Sequence, residues 1–215
     1  MPVKIKVFSD FACPFCYLAE APLKEAIKGE SVEVEWMPFE LRPLPHPTLS
    51  SKDPYIQQAW NGSVKPLAEQ LGVKMLLPDM DPLPHTHYAH EGYQFAKTQD
   101  KETEYVEAVL KAFWENGLDI GKIDILATIA EGIGLSKQEF TDALTNRTFK
   151  QSHEQALQYA YGEANIKAVP TFFIGNRRVQ GLHSATQLKE IIKQEANSST
   201  QDLQGLACEP GKDFC

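Results

Sequence analysis

The chain has 215 residues, of which 42% are hydrophobic and 23% are charged, and its formal net charge is −8. This length supports a sizeable core, and the composition is that of a globular protein rather than a disordered or fibrous one. The acidic balance argues against a binder of nucleic-acid phosphates, and no stretch approaches the roughly 18 apolar residues of a membrane span. Residues 1 to 8 lack the apolar core of a signal peptide, so we expect a cytoplasmic protein with neither nucleic-acid nor membrane partners.

Residues 1 to 45 carry the pattern of a β-α-β unit. Apolar and charged side chains alternate over residues 3 to 8 and again over residues 32 to 36, which predicts two strands. Between them, apolar residues recur at helical spacing, and Gly29 is a suitable place for the helix to end. A helix that connects two such strands predicts a parallel pair.

Residues 46 to 165 are predicted to form an all-helical insertion. Nine of the fourteen prolines lie between residues 38 and 84, which limits that stretch to loops and one helix near residues 54 to 72. From about residue 85 onward the apolar residues recur at helical spacing, and the capping box Ser136-x-x-Glu139 opens one of these helices.

Residues 166 to 197 return to strand chemistry. Two short runs, residues 171 to 174 (TFFI) and residues 177 to 180 (RRVQ), flank Gly175-Asn176, which predicts a tight hairpin. A last helix follows the capping box Ser184-x-x-Gln187, and residues 198 to 215 form a polar tail. The sequence therefore predicts an α/β fold in which a β-α-β unit and a β-β-α unit are separated by the helical insertion.

The motif Cys13-Pro14-Phe15-Cys16 falls between the first strand and the first helix. Pro14 suits the first helical turn, which makes Cys13 the residue that caps the helix. Unpaired backbone N–H groups and the helix dipole would stabilise a thiolate at that position. Cys16 continues the apolar face of the helix, so we expect it to point inward while Cys13 stays at the exposed tip.

This asymmetry assigns roles in dithiol–disulfide exchange. Cys13 attacks the disulfide of a partner and Cys16 resolves the mixed disulfide, a reaction that needs no metal or other cofactor. Zinc sites also use two cysteines at this spacing, and Cys208 with Cys215 offers a second pair. A zinc-stabilised binding module is therefore the non-enzymatic alternative.

Residues 9 to 18 (SDFACPFCYL) and residues 169 to 172 (VPTF) together resemble the DsbA-like thiol-disulfide oxidoreductases, most closely the FrnE-type subfamily. The resemblance spans essentially residues 3 to 196. It implies a thioredoxin-like domain, built from residues 1 to 45 and 166 to 197, that is interrupted by the helical insertion.

The resemblance also implies roles for Val169 and Pro170. In similar proteins the proline follows a cis peptide bond beside the cysteine pair, and the backbone of the preceding residue pairs with the substrate. The implied substrates are proteins or small molecules that carry thiols or disulfides, and the implied redox partner is glutathione or the thioredoxin system. Phe15 stands where the secreted members carry a histidine, so their strongly oxidising character is not carried over and the direction of electron flow stays open.

Two further candidates come from the same resemblance. Some FrnE-type proteins carry an extra C-terminal cysteine pair, which makes Cys208 and Cys215 a candidate auxiliary redox pair. His90 matches a family pattern that opens an insertion helix facing the active cleft, which makes it a candidate substrate contact. No acidic or thiol residue lies at a matching spacing from the cluster of His85, His87 and His90, so we expect no metal site there.

A second enzymatic hypothesis assumes the same fold but a different reaction. The related kappa-class glutathione transferases and hydroxychromene carboxylate isomerases bind glutathione at the same helix tip. Many of them have serine at the position of Cys13, so the presence of both cysteines favours exchange, with glutathione as a candidate co-substrate. The sequence leaves the oligomeric state open.

Overall fold

The computed structural model describes residues 2 to 204, with side chains placed through residue 198. Cys208 and Cys215 lie outside the described residues, so the predicted auxiliary redox pair stays a prediction. No helix in the described part of the chain is long and apolar enough to cross a membrane.

A four-stranded mixed sheet forms the base of the fold, with the strand order β2-β1-β3-β4. The strands are β1 (Val3–Ser9), β2 (Val32–Pro38), β3 (Thr171–Ile174) and β4 (Arg177–Gln180). Strands β1 and β2 are parallel, while β3 runs antiparallel to both β1 and β4. The predicted β-α-β and β-β-α units are confirmed, since α1 (Pro14–Ile27) joins β1 to β2 and α9 (Ala185–Gln204) follows the hairpin.

The segment between β2 and β3 consists of helices and the loops that join them. Its helices are α2 (Pro54–Ala59), α3 (Lys65–Leu71), α4 (His87–Lys97), α5 (Glu102–Trp114), α6 (Ile123–Gly132), α7 (Lys137–Thr145) and α8 (Lys150–Tyr161). The single helix expected near residues 54 to 72 is interrupted by a π-helical turn, Trp60–Val64. Pro66 lies just beyond this turn and has no N–H to donate to the preceding turn, which disfavours a continuous α-helix there.

The sheet and the inserted helices share one hydrophobic core. Ile5 and Val7 of β1 belong to the same buried cluster as Phe113 of α5 and Phe140 of α7. The indole N–H of Trp114 donates to the carbonyl of Phe11 at 2.9 Å. The inserted helices therefore hold the loop that leads from β1 into α1, where the cysteine motif lies.

Candidate active site

The start of α1 brings the predicted residues together. Cys13 caps the helix in an extended conformation and Pro14 is its first residue, as the sequence predicts. The Cys13 thiol donates to the backbone carbonyl of Val169 across 3.7 Å. The Val169–Pro170 peptide bond is cis. The motif at one end of the chain and the Val169–Pro170 segment at the other thus form one site.

The predicted exposure of Cys13 is wrong. Only 3% of its surface is accessible, compared with 2% for Cys16. The pattern of the first helix places Cys13 correctly at the tip, but it carries no information about Val169, which lies over that tip in the folded chain. Cys13 nevertheless lines an open cavity of about 490 Å³.

This cavity beside Cys13 is mainly apolar. Its wall includes Phe15, Leu41, Tyr55, Ile56 and Val169. Two cationic residues, Arg42 and Lys167, also line it, and they outnumber the one acidic lining residue, Asp10, whose carboxylate accepts backbone N–H groups. Tyr55 is 71% exposed and Leu41 is 46% exposed, so both are accessible to a ligand. The cavity is therefore suited to a thiol or disulfide ligand with an apolar part and a negative charge.

Cys16 is held mainly as a thiol. Burial raises the pKa of Cys16 well above its usual value, and the neighbouring Cys13 thiol raises it further. Hydrogen bonds from the Ser9 hydroxyl and from the backbone of Asp10 to the Cys16 sulfur act in the opposite direction. These two donors are in place to stabilise a thiolate if Cys16 loses its proton.

Asp10 organises the active-site loop, a role that the sequence reasoning missed. Its carboxylate accepts the backbone N–H of Leu41 at 2.7 Å and that of Ala12 at 3.2 Å, and only 2% of its surface is exposed. The position of an aspartate just before a helix start was the available signal, because such residues bond to the backbone N–H groups that follow. The contact with Leu41 depends on tertiary structure and has no local signal.

His90 packs against Asp10 and Phe11 and does not line the cavity beside Cys13. It is 3% exposed, and its Nε2 atom is 3.8 Å from Oδ1 of Asp10. Its ring stacks on that of His153 with 5.2 Å between centroids, and Nε2 of His153 lies 2.5 Å from Oε1 of Glu40. This placement favours a role beneath the active site rather than contact with a substrate.

The described residues contain no group of three or more His, Cys, Asp or Glu side chains that could hold a metal ion. Of the zinc ligands considered in the sequence, Cys13 and Cys16 are buried free thiols. The other two, Cys208 and Cys215, lie outside the described residues, so the zinc-bound alternative stays a hypothesis from the sequence.

Residues 4–193 match the family of DSBA-like thioredoxin domains. The chain therefore belongs to the DsbA-like thioredoxin-domain family, as its motifs indicated. It is also 47% identical over 196 residues to the uncharacterized protein YwbO of Bacillus subtilis (strain 168), an alignment that covers 91% of this chain and 98% of YwbO.

Solved structures of the same fold include two kinds of enzyme. A probable DsbA oxidoreductase of Streptomyces coelicolor, SCO1869, superposes with a TM-score of 0.76 at 18% identity, over 99% of this chain and 94% of that one. The cytosolic disulfide reductase DsbM of Pseudomonas aeruginosa, solved with GSH, superposes with a TM-score of 0.64 at 17% identity, over 93% of this chain and 99% of that one. A 2-hydroxychromene-2-carboxylate isomerase superposes with a TM-score of 0.70 at 16% identity, over 95% of this chain and 100% of that one. At these identities the likeness establishes the thioredoxin-like fold.

Proposed function

We propose that the protein is a thiol–disulfide oxidoreductase that uses Cys13 as nucleophile and Cys16 as resolving thiol. The observation that carries this proposal is the position of Cys13. It caps α1 beside an open cavity, with its sulfur 3.7 Å from the Val169 carbonyl and with Cys16 buried one turn later. Pro14 and Phe15 separate the two cysteines and shape the first helical turn.

The reaction proceeds in two exchanges. The Cys13 thiolate attacks one sulfur of the substrate disulfide, and the other substrate sulfur leaves as a thiolate. Cys16 then loses its proton and attacks the Cys13 sulfur, which releases the second substrate sulfur. Two electrons pass from the dithiol to the substrate, and the two substrate thiolates take up protons. The reverse sequence oxidises a dithiol substrate.

The cavity beside Cys13 supports two classes of substrate. Its apolar wall and the cations Arg42 and Lys167 suit a small anionic thiol such as glutathione or a cysteine-containing segment of a protein. The Val169 carbonyl, which accepts the Cys13 thiol in the dithiol form, is the acceptor we assign to a backbone N–H of a bound peptide. Glutathione or the thioredoxin system is the proposed redox partner. Location in the cytoplasm and membership of the FrnE-type subfamily stay predictions from the sequence.

The direct test is turnover of a fluorescent peptide disulfide, with dithiothreitol as the terminal reductant. We expect Cys13→Ser to lose activity by at least about 100-fold, because no other group replaces a positioned nucleophile. The double variant Cys208→Ser/Cys215→Ser is the matched control and is expected to keep turnover with this reductant. Full activity of Cys13→Ser would refute the proposal.

The second candidate is a glutathione-dependent transferase or isomerase, favoured by the fold shared with the chromene carboxylate isomerase and by the cationic residues of the cavity. Such a reaction needs no resolving thiol. Glutathione conjugation or isomerisation that persists undiminished in Cys16→Ser, in a protein that turns over no disulfide, would favour this candidate.

A further inference from the structure

We propose that His90 accepts the proton that Cys16 loses, through the Ser9 hydroxyl and a single water molecule, and that Asp10 stabilises the imidazolium formed. This inference rests on the proposed disulfide exchange, because only the resolving step requires Cys16 to give up a proton. It gives a buried histidine a place in the reaction without contact to the substrate.

The resolving step needs a base inside the protein. Only 2% of the Cys16 surface is accessible, so bulk water cannot collect its proton directly. The thiol must nevertheless lose that proton before its sulfur bonds to Cys13. Two side chains interact with the Cys16 sulfur, those of Cys13 and Ser9. The Cys13 sulfur is the atom under attack in this step, which leaves Ser9, itself only 7% exposed, to receive the proton. A hydroxyl can accept one proton while it donates another, so it can pass a proton onward.

A small cavity connects Ser9 to His90. Both residues line a space of about 10 Å³, close to the smallest volume that holds one water molecule. The rest of its lining includes Phe11 and Val106, which are apolar, and Tyr93. The Tyr93 hydroxyl already donates to the Trp36 carbonyl at 2.7 Å. Three polar side chains are left to bind a water there, namely Ser9, His90 and Trp36. The indole N–H of Trp36 can only donate, so Ser9 and His90 are the two that can exchange a proton through the water.

His90 has an open position for the proton. Its Nε2 atom is buried and has no hydrogen-bond partner within the described residues. The distance of 3.8 Å from Nε2 to Oδ1 of Asp10 is too long for a hydrogen bond but close enough for a strong attraction once the ring is charged. Imidazole is the side chain whose protonation changes most readily near neutral pH.

The charged and titratable groups around His90 come from several elements. Asp10 follows β1 and Glu40 follows β2, while Glu91, His153 and Arg147 belong to α4, to α8 and to the turn after α7. Burial and the neighbouring His90 lower the pKa of His153, although its bond to Glu40 acts against this. His153 is thereby kept mainly neutral, which leaves His90 as the imidazole that faces the carboxylate of Asp10. Arg147 neutralises Glu91 through paired hydrogen bonds, the shortest being 2.6 Å.

The proton and electrons balance in both directions. When the protein reduces a substrate, the Cys16 proton passes to Ser9, the Ser9 proton passes through the water to Nε2 of His90, and the Cys16 electron pair forms the bond to Cys13. The substrate sulfur that leaves takes a proton from solvent. When the protein oxidises a substrate, the Cys16 thiolate that leaves Cys13 recovers its proton from His90 by the same route.

Reaction with dithionitrobenzoate separates the two steps, since one thionitrobenzoate leaves when Cys13 attacks and a second leaves when Cys16 resolves. The background is Cys208→Ser/Cys215→Ser, so that these are the only thiols. We expect His90→Gln and Ser9→Ala each to slow the second release about 100-fold near neutral pH and to leave the first unchanged. The difference from the background protein should shrink as pH rises, because the fraction of Cys16 that is already deprotonated then grows and the resolving step depends less on the relay. The double variant should lose no more than the slower single variant, because both act on one path.

His87→Gln is the matched control. His87 lies on the same helix and also has a buried ring nitrogen that finds no partner in the described part of the chain, but it lines a different cavity. It should change neither release. Urea unfolding shows whether each variant is folded. If His90→Gln is unstable, the test rests on Ser9→Ala alone.

Three outcomes would overturn the inference. In the first, both variants release the second thionitrobenzoate at the background rate. In the second, both releases are slowed equally. In the third, the slowing of the second release does not shrink at high pH. Each of these leaves the proposed function standing as long as the background protein gives two releases. Failure of the background protein to give a second release would instead refute the proposed exchange.

Discussion

The sulfur of Cys13 and the carbonyl oxygen of Val169 lie 3.7 Å apart, although 156 residues separate them in the chain. The whole helical insertion lies between them in sequence, and it contributes Trp114 to the loop before Cys13. The site is therefore assembled by the tertiary fold, and each residue's chemistry depends on neighbours that are distant in sequence.

Removal of the resolving thiol should trap the substrate on Cys13. In the Cys208→Ser/Cys215→Ser background, Cys16→Ser treated with glutathione disulfide should gain the mass of one glutathione, because nothing attacks the mixed disulfide. The parent protein should instead lose two hydrogens and carry no adduct. Mass spectrometry after digestion measures both. An adduct on the Cys13→Ser variant, or none on Cys16→Ser, would contradict the assigned roles.

Glu20 should make stability depend on pH. Burial raises the pKa of Glu20 from 4.5 to about 7, and one of its carboxylate oxygens has no partner in the described residues. The folded protein therefore binds this proton more tightly than the unfolded chain does. The contribution of Glu20 to stability is full below about pH 4.5 and is lost as pH rises through about 7.

The variant Glu20→Gln removes this effect. We expect it to raise the free energy of unfolding by about 2 kcal/mol at about pH 8 and to change little at about pH 4. Glu25→Gln, on the exposed side of the same helix, is the control and should leave this pH dependence intact. Urea unfolding across the pH range measures both variants. The prediction fails if Glu20→Gln gives no gain at the higher pH.

The pair of Glu91 and Arg147 should be important for folding. Glu91 is fully buried, and Arg147 donates to both of its carboxylate oxygens. Arg147→Met leaves a buried carboxylate unpaired, so we expect a loss of about 3 kcal/mol. Lys137→Met, which breaks an exposed pair with Glu131, should cost less than about 1 kcal/mol. The two variants are compared by urea unfolding, and equal losses would contradict the account.

Gly92 should tolerate no side chain. A Cβ added there would lie 2.6 Å from Cζ of Phe140 and would also clash with the Tyr105 hydroxyl. We expect Gly92→Ala to lower stability by about 2 kcal/mol, despite the better helix propensity of alanine. Gly132, at the end of α6, has open space at the same position, and Gly132→Ala should be neutral or stabilising. A stable Gly92→Ala protein, by thermal or urea unfolding, would show that the packing is looser than described.

The sequence was sufficient for features that depend on local periodicity. Alternation along β1 and helical spacing along α1 predicted the β-α-β unit, and both hydrogen bonds of the Ser184 and Gln187 capping box are present, at 3.0 and 3.3 Å. It was not sufficient for burial at the helix tip, because the residue that covers Cys13 comes from the far end of the chain. Periodicity describes one element at a time and does not show what packs over its end.

The buried row behind the cysteines was also beyond the sequence. Asp10, His90, His153 and Glu40 come from four separate segments, and no spacing along the chain relates them. His153 lies on α8 and is 2% exposed. Its bond to Glu40 and its stacking on His90 required the tertiary structure.

Equilibration in glutathione buffers of defined potential tests the central claim most directly. Mass spectrometry locates the disulfide at each potential, in wild type and in Cys208→Ser/Cys215→Ser. The account predicts a reversible disulfide between Cys13 and Cys16 in both proteins. A midpoint potential near about −270 mV, as in thioredoxin, would indicate a reductant, and one near about −120 mV, as in DsbA, would indicate an oxidant. The absence of that bond at every potential, with glutathione bound noncovalently, would contradict the exchange mechanism and favour a glutathione-dependent transferase or isomerase.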